Sequence, residues 1–169
     1  MTNFYEKSTG KLAKRLISLP YYGSDKVLNI REYQDKRNIL VLVNRVEHIE
    51  VLSQLLSDKS VSNIFQLSGK TKRKEAKARL EEIEALPDES AFVLFSTGKY
   101  IGEGFDLPKL DTLFLAAPLS WKNNLIQYAG RLHRPYEGKS QVKIFDYLDI
   151  HVPYLERMFQ KKKACLSKK

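Results

Sequence analysis

A run with no polar side chain, Ile-Leu-Val-Leu-Val at residues 39–43, is the feature that most restricts the fold of this chain. A strand with one solvated face alternates apolar and polar residues, so an unbroken apolar run indicates a strand buried on both faces. The next segment, residues 46–56, repeats apolar side chains at helical spacing, with Ile49, Leu52 and Leu56 on one face. A buried strand followed at once by an amphipathic helix is typical of a parallel α/β fold.

The same alternation of strand-like and helix-like segments continues along the chain. Because the strands are apolar throughout and helices separate most of them, the pattern predicts a three-layer parallel sheet with helices on both faces. Strands are predicted at 39–43, 63–67, 91–95, 111–116 and 141–147, and helices at 46–56, 72–86, 121–132 and 152–162.

The regular pattern divides the chain into one domain and two flanking segments. We assign residues 38–162 to the domain. Residues 1–37 are less regular and are predicted to be a lead-in segment with a short helix at 24–36. Residues 163–169 are predicted to be a frayed basic tail.

Composition narrows the possible surroundings and partners. No apolar run approaches the roughly 20 residues of a membrane helix, and the first residues lack the apolar stretch of a secretory signal. The sequence therefore predicts no membrane partner. Cys165 is the single cysteine, so we expect no internal disulfide and a reducing, cytoplasmic location. No Cys/His cluster has metal-ligand spacing, so we expect no metal site. The formal net charge of +9 favours a polyanionic partner, first of all nucleic acid.

The loops that follow the predicted strands carry small, hydroxyl and basic residues. Right-handed crossovers place the carboxyl ends of all parallel strands at one edge of a sheet, where ligands bind. We therefore expect four loops to lie together at that edge: 44–45, 68–71, 96–108 and 117–118.

Three segments resemble nucleotide-binding motifs but depart from them. Gly-Lys-Thr at 69–71 has the ending of a P-loop, yet Ile64 stands where the first glycine is required. The acid pair at 88–89 precedes its strand, whereas a magnesium-binding pair follows one. Gly-Glu-Gly at 102–104 begins like a dinucleotide fingerprint, but Leu107 replaces the third glycine. The sequence therefore argues against a complete ATP cradle and against a Rossmann enzyme.

The segment QYAGRLHR carries the most specific chemistry. On a helix, Gln127, Arg131 and Arg134 project within about 60° of one another, and Tyr128 falls on the other side. Two guanidinium groups on one rigid face can grip phosphate oxygens, which suits the charge on a transferring phosphoryl group. Gly130 costs this helix about 1 kcal/mol relative to Ala, which indicates close approach of another backbone or a ligand. A solvated basic helix is the alternative that two arginines alone would favour.

The order of these segments resembles the second RecA-like domain of superfamily 2 helicases and translocases. ILVLVNRVEHIEVL resembles motif IV, STGKYIGEGFDLP motif V and QYAGRLHR motif VI, and together they cover about residues 38–160. The GEGFD form and the later IFDYLD segment are more similar to the restriction-enzyme-type and related bacterial branch than to the DEAD-box branch. The resemblance implies a RecA-like helicase C-terminal lobe.

The resemblance also implies roles for individual residues. Arg131 and Arg134 would be arginine fingers that reach the γ-phosphate of ATP, and Gln127 would position that phosphate or the attacking water. Gly104 and Asp106 would line the nucleotide. The remaining residues would contact the nucleic-acid backbone: Asn44, Arg45, Gly69, Lys70, Ser96, Thr97, Gly98 and Lys99.

As such a lobe, the chain would depend on partners for catalysis. ATP with magnesium would be bound mainly by a preceding RecA-like lobe, in cis or lost from this chain, because the chain has neither a Walker A nor a Walker B motif. We therefore expect no ATP hydrolysis by the chain alone. A stand-alone nucleic-acid-binding module without ATPase activity is the alternative. Both DNA and RNA stay open as partners.

Overall fold

The computed structural model describes residues 4–9, 12–20, 30, 37–58, 60–98, 100–101, 105–117, 122–148 and 153–167. Strands and helices alternate from β3 onwards, as the apolar pattern predicts. The strands among these residues are β1 (Phe4–Thr9), β2 (Leu12–Pro20), β3 (Ile39–Val43), β4 (Ile64–Leu67), β5 (Val93–Thr97), β6 (Thr112–Leu115) and β7 (Gln141–Leu148). The helices are α1 (Val46–Ser57), α2 (Arg73–Glu84), α3 (Lys122–Leu132) and α4 (Pro153–Ser167).

The strands form one sheet in the order β1-β2-β7-β6-β3-β5-β4. Every neighbouring pair from β2 to β4 in that order is parallel, and only the pair of β1 and β2 among the described strands is antiparallel. The predicted parallel α/β sheet is confirmed. The carboxyl ends of β4, β5, β3 and β6 consequently lie side by side at one edge, which we call the carboxyl edge.

Two hydrophobic cores lie on opposite faces of the sheet. Val41 of β3 packs into the core that α1 covers, together with Ile49. Its neighbour Leu42 packs into the core that α2, α3 and α4 cover, together with Ile83 and Leu132. Because successive side chains of a strand point to opposite faces, an all-apolar strand serves both cores at once. The predicted three layers are confirmed.

The N-terminal region differs from the predicted lead-in segment. Residues 4–20 contain the β1–β2 hairpin, and β2 extends the sheet by pairing with β7 from Ala13–Gln141 to Pro20–Leu148. Strand pairing depends on a partner far along the chain, which the local pattern of residues 12–20 does not reveal. Of the helix predicted at 24–36, only Ile30 lies within the described residues, where it is helical and fully buried.

The C-terminal helix is longer than predicted. The frayed tail was expected from residue 163, but α4 continues to Ser167. Lysine, alanine and leucine are good helix formers, and no glycine or proline follows Pro153 in this helix. None of the described helices is long and apolar enough to cross a bilayer.

Candidate functional site

The carboxyl edge brings together most of the predicted nucleic-acid contacts. Ser96 pairs with both Leu67 of β4 and Leu42 of β3, so the ends of these three strands are level. Neighbouring strands lie about 4.8 Å apart, which places the segments after them in a short row. Asn44 and Arg45, after β3, are both exposed. Gly69, Lys70 and Gly98 belong to the same row, and Lys99 lies outside the described residues.

Strand β5 runs two residues further than predicted. The loop was expected to begin at Ser96, but Ser96 and Thr97 complete the strand. Ser96 is fully buried and its hydroxyl donates to the Thr97 carbonyl oxygen at 3.3 Å. Thr97 keeps 9% of its surface exposed. The Ser96 side chain therefore faces the protein interior, and of these two residues Thr97 lies nearer to the surface.

The turn after β4 is closed by its own hydrogen bonds. The Ser68 N–H donates to the Thr71 hydroxyl at 3.0 Å, and the Thr71 N–H donates back to the Ser68 carbonyl at 2.9 Å. The Lys70 N–H donates to the Ser68 hydroxyl at 3.3 Å. A P-loop needs its backbone N–H groups open toward a ligand, whereas these groups are engaged within the turn. This geometry agrees with the missing first glycine and leaves the Lys70 side chain exposed.

Helix α3 is tied at successive points to the segment that follows β5. The Tyr128 hydroxyl donates to the Gly98 carbonyl oxygen. One Arg131 nitrogen, Nη1, donates to the carbonyl oxygens of Ile101 and Phe105 at 2.7 and 2.6 Å. Since Tyr128 and Arg131 lie nearly one helical turn apart, these contacts follow α3 along its length.

The last contact in this series is an ion pair. The Arg134 guanidinium, just beyond the end of α3, pairs through Nη1 with the Asp106 carboxylate. Both side chains are about half exposed, 50% and 48%. Arg134 and Asp106, two of the five residues that the motif resemblance assigns to ATP, therefore meet at the surface. Gly104, another of the five, lies outside the described residues.

Residues 105–111, which follow β5 in the chain, lie against the helix-covered face of the sheet. The loop was expected to stay at the carboxyl edge as far as Pro108, and for residues 105–108 this expectation is wrong. Its apolar side chains Phe105, Leu107 and Leu110 are buried in the core under α2, α3 and α4. Burial of these side chains draws the chain across the face, so that the Asp111 N–H reaches the Asn38 carbonyl just before β3, at 3.1 Å. The candidate site is consequently divided between the carboxyl edge and the far end of α3.

The two faces of α3 differ as predicted. Tyr128 and Leu132 are buried, while Gln127 and Arg134 are exposed. The exposure of Arg131 is intermediate, because its guanidinium donates to the carbonyl groups of Ile101 and Phe105. Burial raises the pKa of the Tyr128 hydroxyl, with the Arg131 charge opposing it, so the phenol stays a neutral donor at physiological pH.

Gly130 has open space where a side chain would project. A Cβ at Gly130 would have no atom within 4 Å. The close approach predicted at this glycine therefore involves no other part of the structure described for this chain.

The opposite edge of the sheet holds a polar cavity that none of the sequence motifs indicates. Its volume is about 510 Å³, and Arg37, Lys109 and Lys139 line it together with acidic residues. The Lys139 ammonium donates to the carbonyl oxygens of Pro108 and Arg134 at 3.0 and 3.1 Å. Burial lowers the pKa of Lys139 to about 8. No local sequence pattern marks these residues, because each lies in a different loop.

Acidic residues in the same cavity respond to burial and to neighbouring cations. Burial raises the pKa of Asp111 against the opposing effects of Thr112 and Arg37. The Tyr136 hydroxyl, followed by Lys109, lowers the pKa of the exposed Asp88. Among the described residues no three His, Cys, Asp or Glu side chains are grouped so that they could hold a metal ion.

Comparison with known protein families shows to which family the chain belongs. Residues 24–136 match the helicase conserved C-terminal domain. The chain belongs to this helicase C-terminal family. The match contains β3 to β6, α1 to α3 and the whole segment QYAGRLHR, so the RecA-like lobe inferred from the motifs is confirmed.

Relatives of this helicase C-terminal domain include viral proteins. "Putative helicase 22" of Sulfolobus islandicus filamentous virus (isolate Iceland/Hveragerdi) is 31% identical over 122 residues, which cover 72% of this chain. The chain spans only 21% of that relative's length. The assignment to the restriction-enzyme-type branch stays a prediction.

Solved structures share the fold of the helicase C-terminal domain. The C-terminal part of the Fun30 ATPase domain superposes with a TM-score of 0.65 and 16% identity, covering 80% of this chain and 42% of that chain. Domain 2 of the DEAD-box helicase Mss116p, bound to an RNA duplex, gives a TM-score of 0.61 and 16% identity, covering 88% and 58%. At such identities the likeness concerns the fold.

Proposed function

We propose that this chain is the second motor lobe of an ATP-dependent nucleic-acid helicase or translocase. In this function it supplies an arginine to ATP held mainly by a preceding RecA-like lobe, and it contacts the nucleic-acid backbone at the carboxyl edge. The observation that carries the proposal is the meeting of Arg134 with Asp106 on the surface at the end of α3.

Arg134 and Arg131 take different parts in this proposal. Arg134 is exposed and its guanidinium is held by one carboxylate, so it can exchange that partner for a phosphate of similar charge. Arg131 is half-buried and fastens the chain on both sides of the glycine-containing segment 102–104. We therefore assign the arginine-finger role first of all to Arg134. Arg131 instead supports the segment that carries Asp106.

The residues present fit one side of a nucleotide and leave the other side to a partner. An exposed guanidinium suits phosphate oxygens, and an exposed carboxylate such as Asp106 suits the hydroxyl groups of a ribose. Gln127 is exposed on the same side of α3 and can orient a phosphate or a water molecule. When bound, ATP supplies the phosphoryl group, and magnesium belongs with the preceding lobe. The open space beside Gly130 leaves room for that lobe to approach.

The carboxyl edge suits contacts with a sugar-phosphate backbone. Asn44, Arg45 and Lys70 are exposed there. A Cβ added at Gly69 would have no atom within 4 Å, so the backbone of this glycine is open to a ligand. Cations, small residues and the Thr97 hydroxyl provide contacts to phosphate that do not depend on base sequence. We propose that these residues, with Gly98 and Lys99, hold DNA or RNA.

The decisive test measures ATPase activity of the chain joined to a RecA-like lobe that carries a complete nucleotide cradle. Loss of an arginine finger lowers kcat by about 10³-fold or more. We expect that loss in Arg134→Ala, with nucleic-acid affinity changed by no more than about twofold. Arg157→Ala, which removes an exposed arginine from α4, is the matched control and should keep the ATPase rate. If Arg134→Ala weakens nucleic-acid binding and leaves ATPase unchanged, the motor proposal fails and the binding-module alternative is favoured.

A further inference from the structure

The chain that follows α3 turns back on itself at residues 136–139. The Lys139 N–H donates to the Tyr136 carbonyl oxygen at 3.1 Å, which closes a four-residue turn. Gly138 occupies the third position of this turn with a φ of 76°, a region that residues other than glycine rarely adopt. The turn consequently brings the Lys139 side chain back to Arg134, five residues earlier in the chain.

The Lys139 ammonium joins two segments that are distant in sequence. It donates to the Arg134 carbonyl oxygen at 3.1 Å and to the Pro108 carbonyl oxygen at 3.0 Å. Pro108 lies two residues after Asp106, whose carboxylate pairs with the Arg134 guanidinium. The ion pair and the ammonium therefore connect the same two segments, the first through side chains and the second through the backbone.

These two connections differ in their accessibility to a ligand. The side chains of Arg134 and Asp106 are about half exposed, so an anion can reach the guanidinium. Lys139 is less exposed and lines the polar cavity. Burial lowers its pKa to about 8, so the charged form still predominates at neutral pH, and hydrogen bonds from a charged donor are stronger than neutral ones. We therefore expect the backbone connection to persist when the ion pair opens.

The backbone of Arg134 is held from both sides by hydrogen bonds. Arg134 lies beyond Leu132, the last residue of α3. Its N–H donates to the Arg131 carbonyl oxygen at 3.1 Å, and its own carbonyl oxygen accepts from Lys139. These two bonds fix the peptide groups before and after the arginine. Such fixing matters for a catalytic group, because a displacement of about 1 Å can lower a rate about 100-fold.

We propose that Lys139 is a positioning residue for Arg134. Its ammonium holds the backbone of the arginine in place while the guanidinium leaves Asp106 for a phosphate oxygen of ATP. The inference rests on the proposed function of Arg134 as an arginine finger. It adds a residue that acts on the nucleotide only through Arg134.

The test measures kcat and KM for ATP in the chain joined to a RecA-like lobe that carries a complete nucleotide cradle. Lys139→Met removes the ammonium and keeps an unbranched side chain. We expect kcat to fall about tenfold and KM to change by no more than about twofold, because an arginine finger stabilises charge that develops in the transition state.

Lys109→Met is the matched control, since Lys109 lines the same cavity. Its ammonium donates to the carbonyl oxygens of Glu84 and Leu86, at the end of α2, at 3.1 and 2.9 Å. The control thus removes the same kind of side chain but releases a different segment, and its kcat should stay within about twofold of the parent value. Urea midpoints of both variants establish that they are folded under the assay conditions.

A double variant separates positioning from general support of the fold. If Lys139 acts through Arg134, Lys139→Met should change kcat by no more than about twofold in a protein that already carries Arg134→Ala. A further loss of about tenfold in the double variant would overturn the inference, because the two effects would then be independent.

Two other outcomes concern different statements. If Arg134→Ala lowers kcat but Lys139→Met keeps the parent value, or if Lys109→Met loses as much as Lys139→Met, the positioning role is wrong and the motor proposal stands. If Arg134→Ala itself leaves kcat unchanged, the proposed function fails, and the positioning role fails with it.

Discussion

Cations lie at both edges of the sheet, and their partners differ. At the carboxyl edge, Arg45 and Lys70 are exposed, and neither forms an ion pair with a described carboxylate. At the opposite edge, Arg37, Lys109 and Lys139 donate to carbonyl groups or carboxylates of their own chain. The same residue types therefore hold the fold together at one edge and stay available at the other.

At the opposite edge, the Arg37 guanidinium is bound by groups of its own chain. Its Nε donates to the Thr112 hydroxyl at 2.6 Å and to the Asp111 carboxylate at 3.1 Å, and Nη2 donates to the Gln141 carbonyl at 2.6 Å. One side chain thus connects the starts of β3, β6 and β7. A positive net charge therefore indicates a ligand only when the cations that bind groups of their own chain are left out of the count.

The largest expected effect on this comparison comes from Arg37→Ala. It leaves the partly buried Asp111 carboxylate without its cation and removes the contacts to Thr112 and Gln141. Breaking such a pair costs about 3 kcal/mol. Urea unfolding followed by circular dichroism measures the loss of stability. Arg45→Ala, at the carboxyl edge, is the matched control and should cost less than about 0.5 kcal/mol. Equal destabilisation by both variants would remove the distinction between the edges.

A smaller effect is expected from Tyr128→Phe, which tests the internal bond at the carboxyl edge. The variant keeps the ring in the core but leaves the Gly98 carbonyl without its buried donor, at a cost of about 1.5 kcal/mol. Tyr136→Phe removes a hydroxyl that binds the exposed Asp88 and should cost under about 0.5 kcal/mol. Urea midpoints compare the two. A Tyr128→Phe chain as stable as the parent would show that the turn after β5 is held by other contacts.

The pH dependence of stability tests Lys139. Its pKa is about 8 in the folded chain against a usual value of 10.5, so the unfolded chain binds more protons between these pH values. Stability therefore rises with pH across that window as the cost of burying the charge disappears. The rise is about 1 kcal/mol after allowance for partial exposure, and Lys139→Met should lack it. Lys70→Met, at an exposed site, should keep the rise. The idea fails if Lys139→Met and the parent chain show parallel pH profiles.

The smallest effect on folding and a clear one on binding are expected for Arg45→Ala. The affinity for a fluorescein-labelled oligothymidylate should fall about threefold, and the slope of log affinity against log salt by about 0.7, because one phosphate contact is lost. Salt-dependent fluorescence anisotropy measures both quantities. Arg37→Gln, compared at a temperature where it stays folded, should leave the salt slope unchanged. An unchanged slope in Arg45→Ala would remove this residue from the proposed nucleic-acid contacts.

Local pattern was sufficient for the core elements and for the faces of α3. The limits of β3 were predicted to the residue, and α1 and α3 to within one residue, because apolar periodicity is a property of neighbouring positions. The burial of Tyr128 beside an exposed Gln127 likewise follows from helical geometry. The end of β5 at Thr97 did not follow from the local pattern, since Ser96 and Thr97 are polar residues that the sheet buries.

The sequence by itself determined the parallel α/β sheet, the glycine missing from the P-loop and the side of α3 that is buried, which carries Tyr128 and Leu132. Only the tertiary structure decided that Arg131 binds the carbonyl groups of a neighbouring segment, that residues 105–110 pack against the sheet face, and that Arg37 contacts residues 74 and 104 positions away. Periodicity records which side of an element is buried. It does not record which distant groups share that burial, because those contacts depend on how the strands pair and where the connecting segments pack.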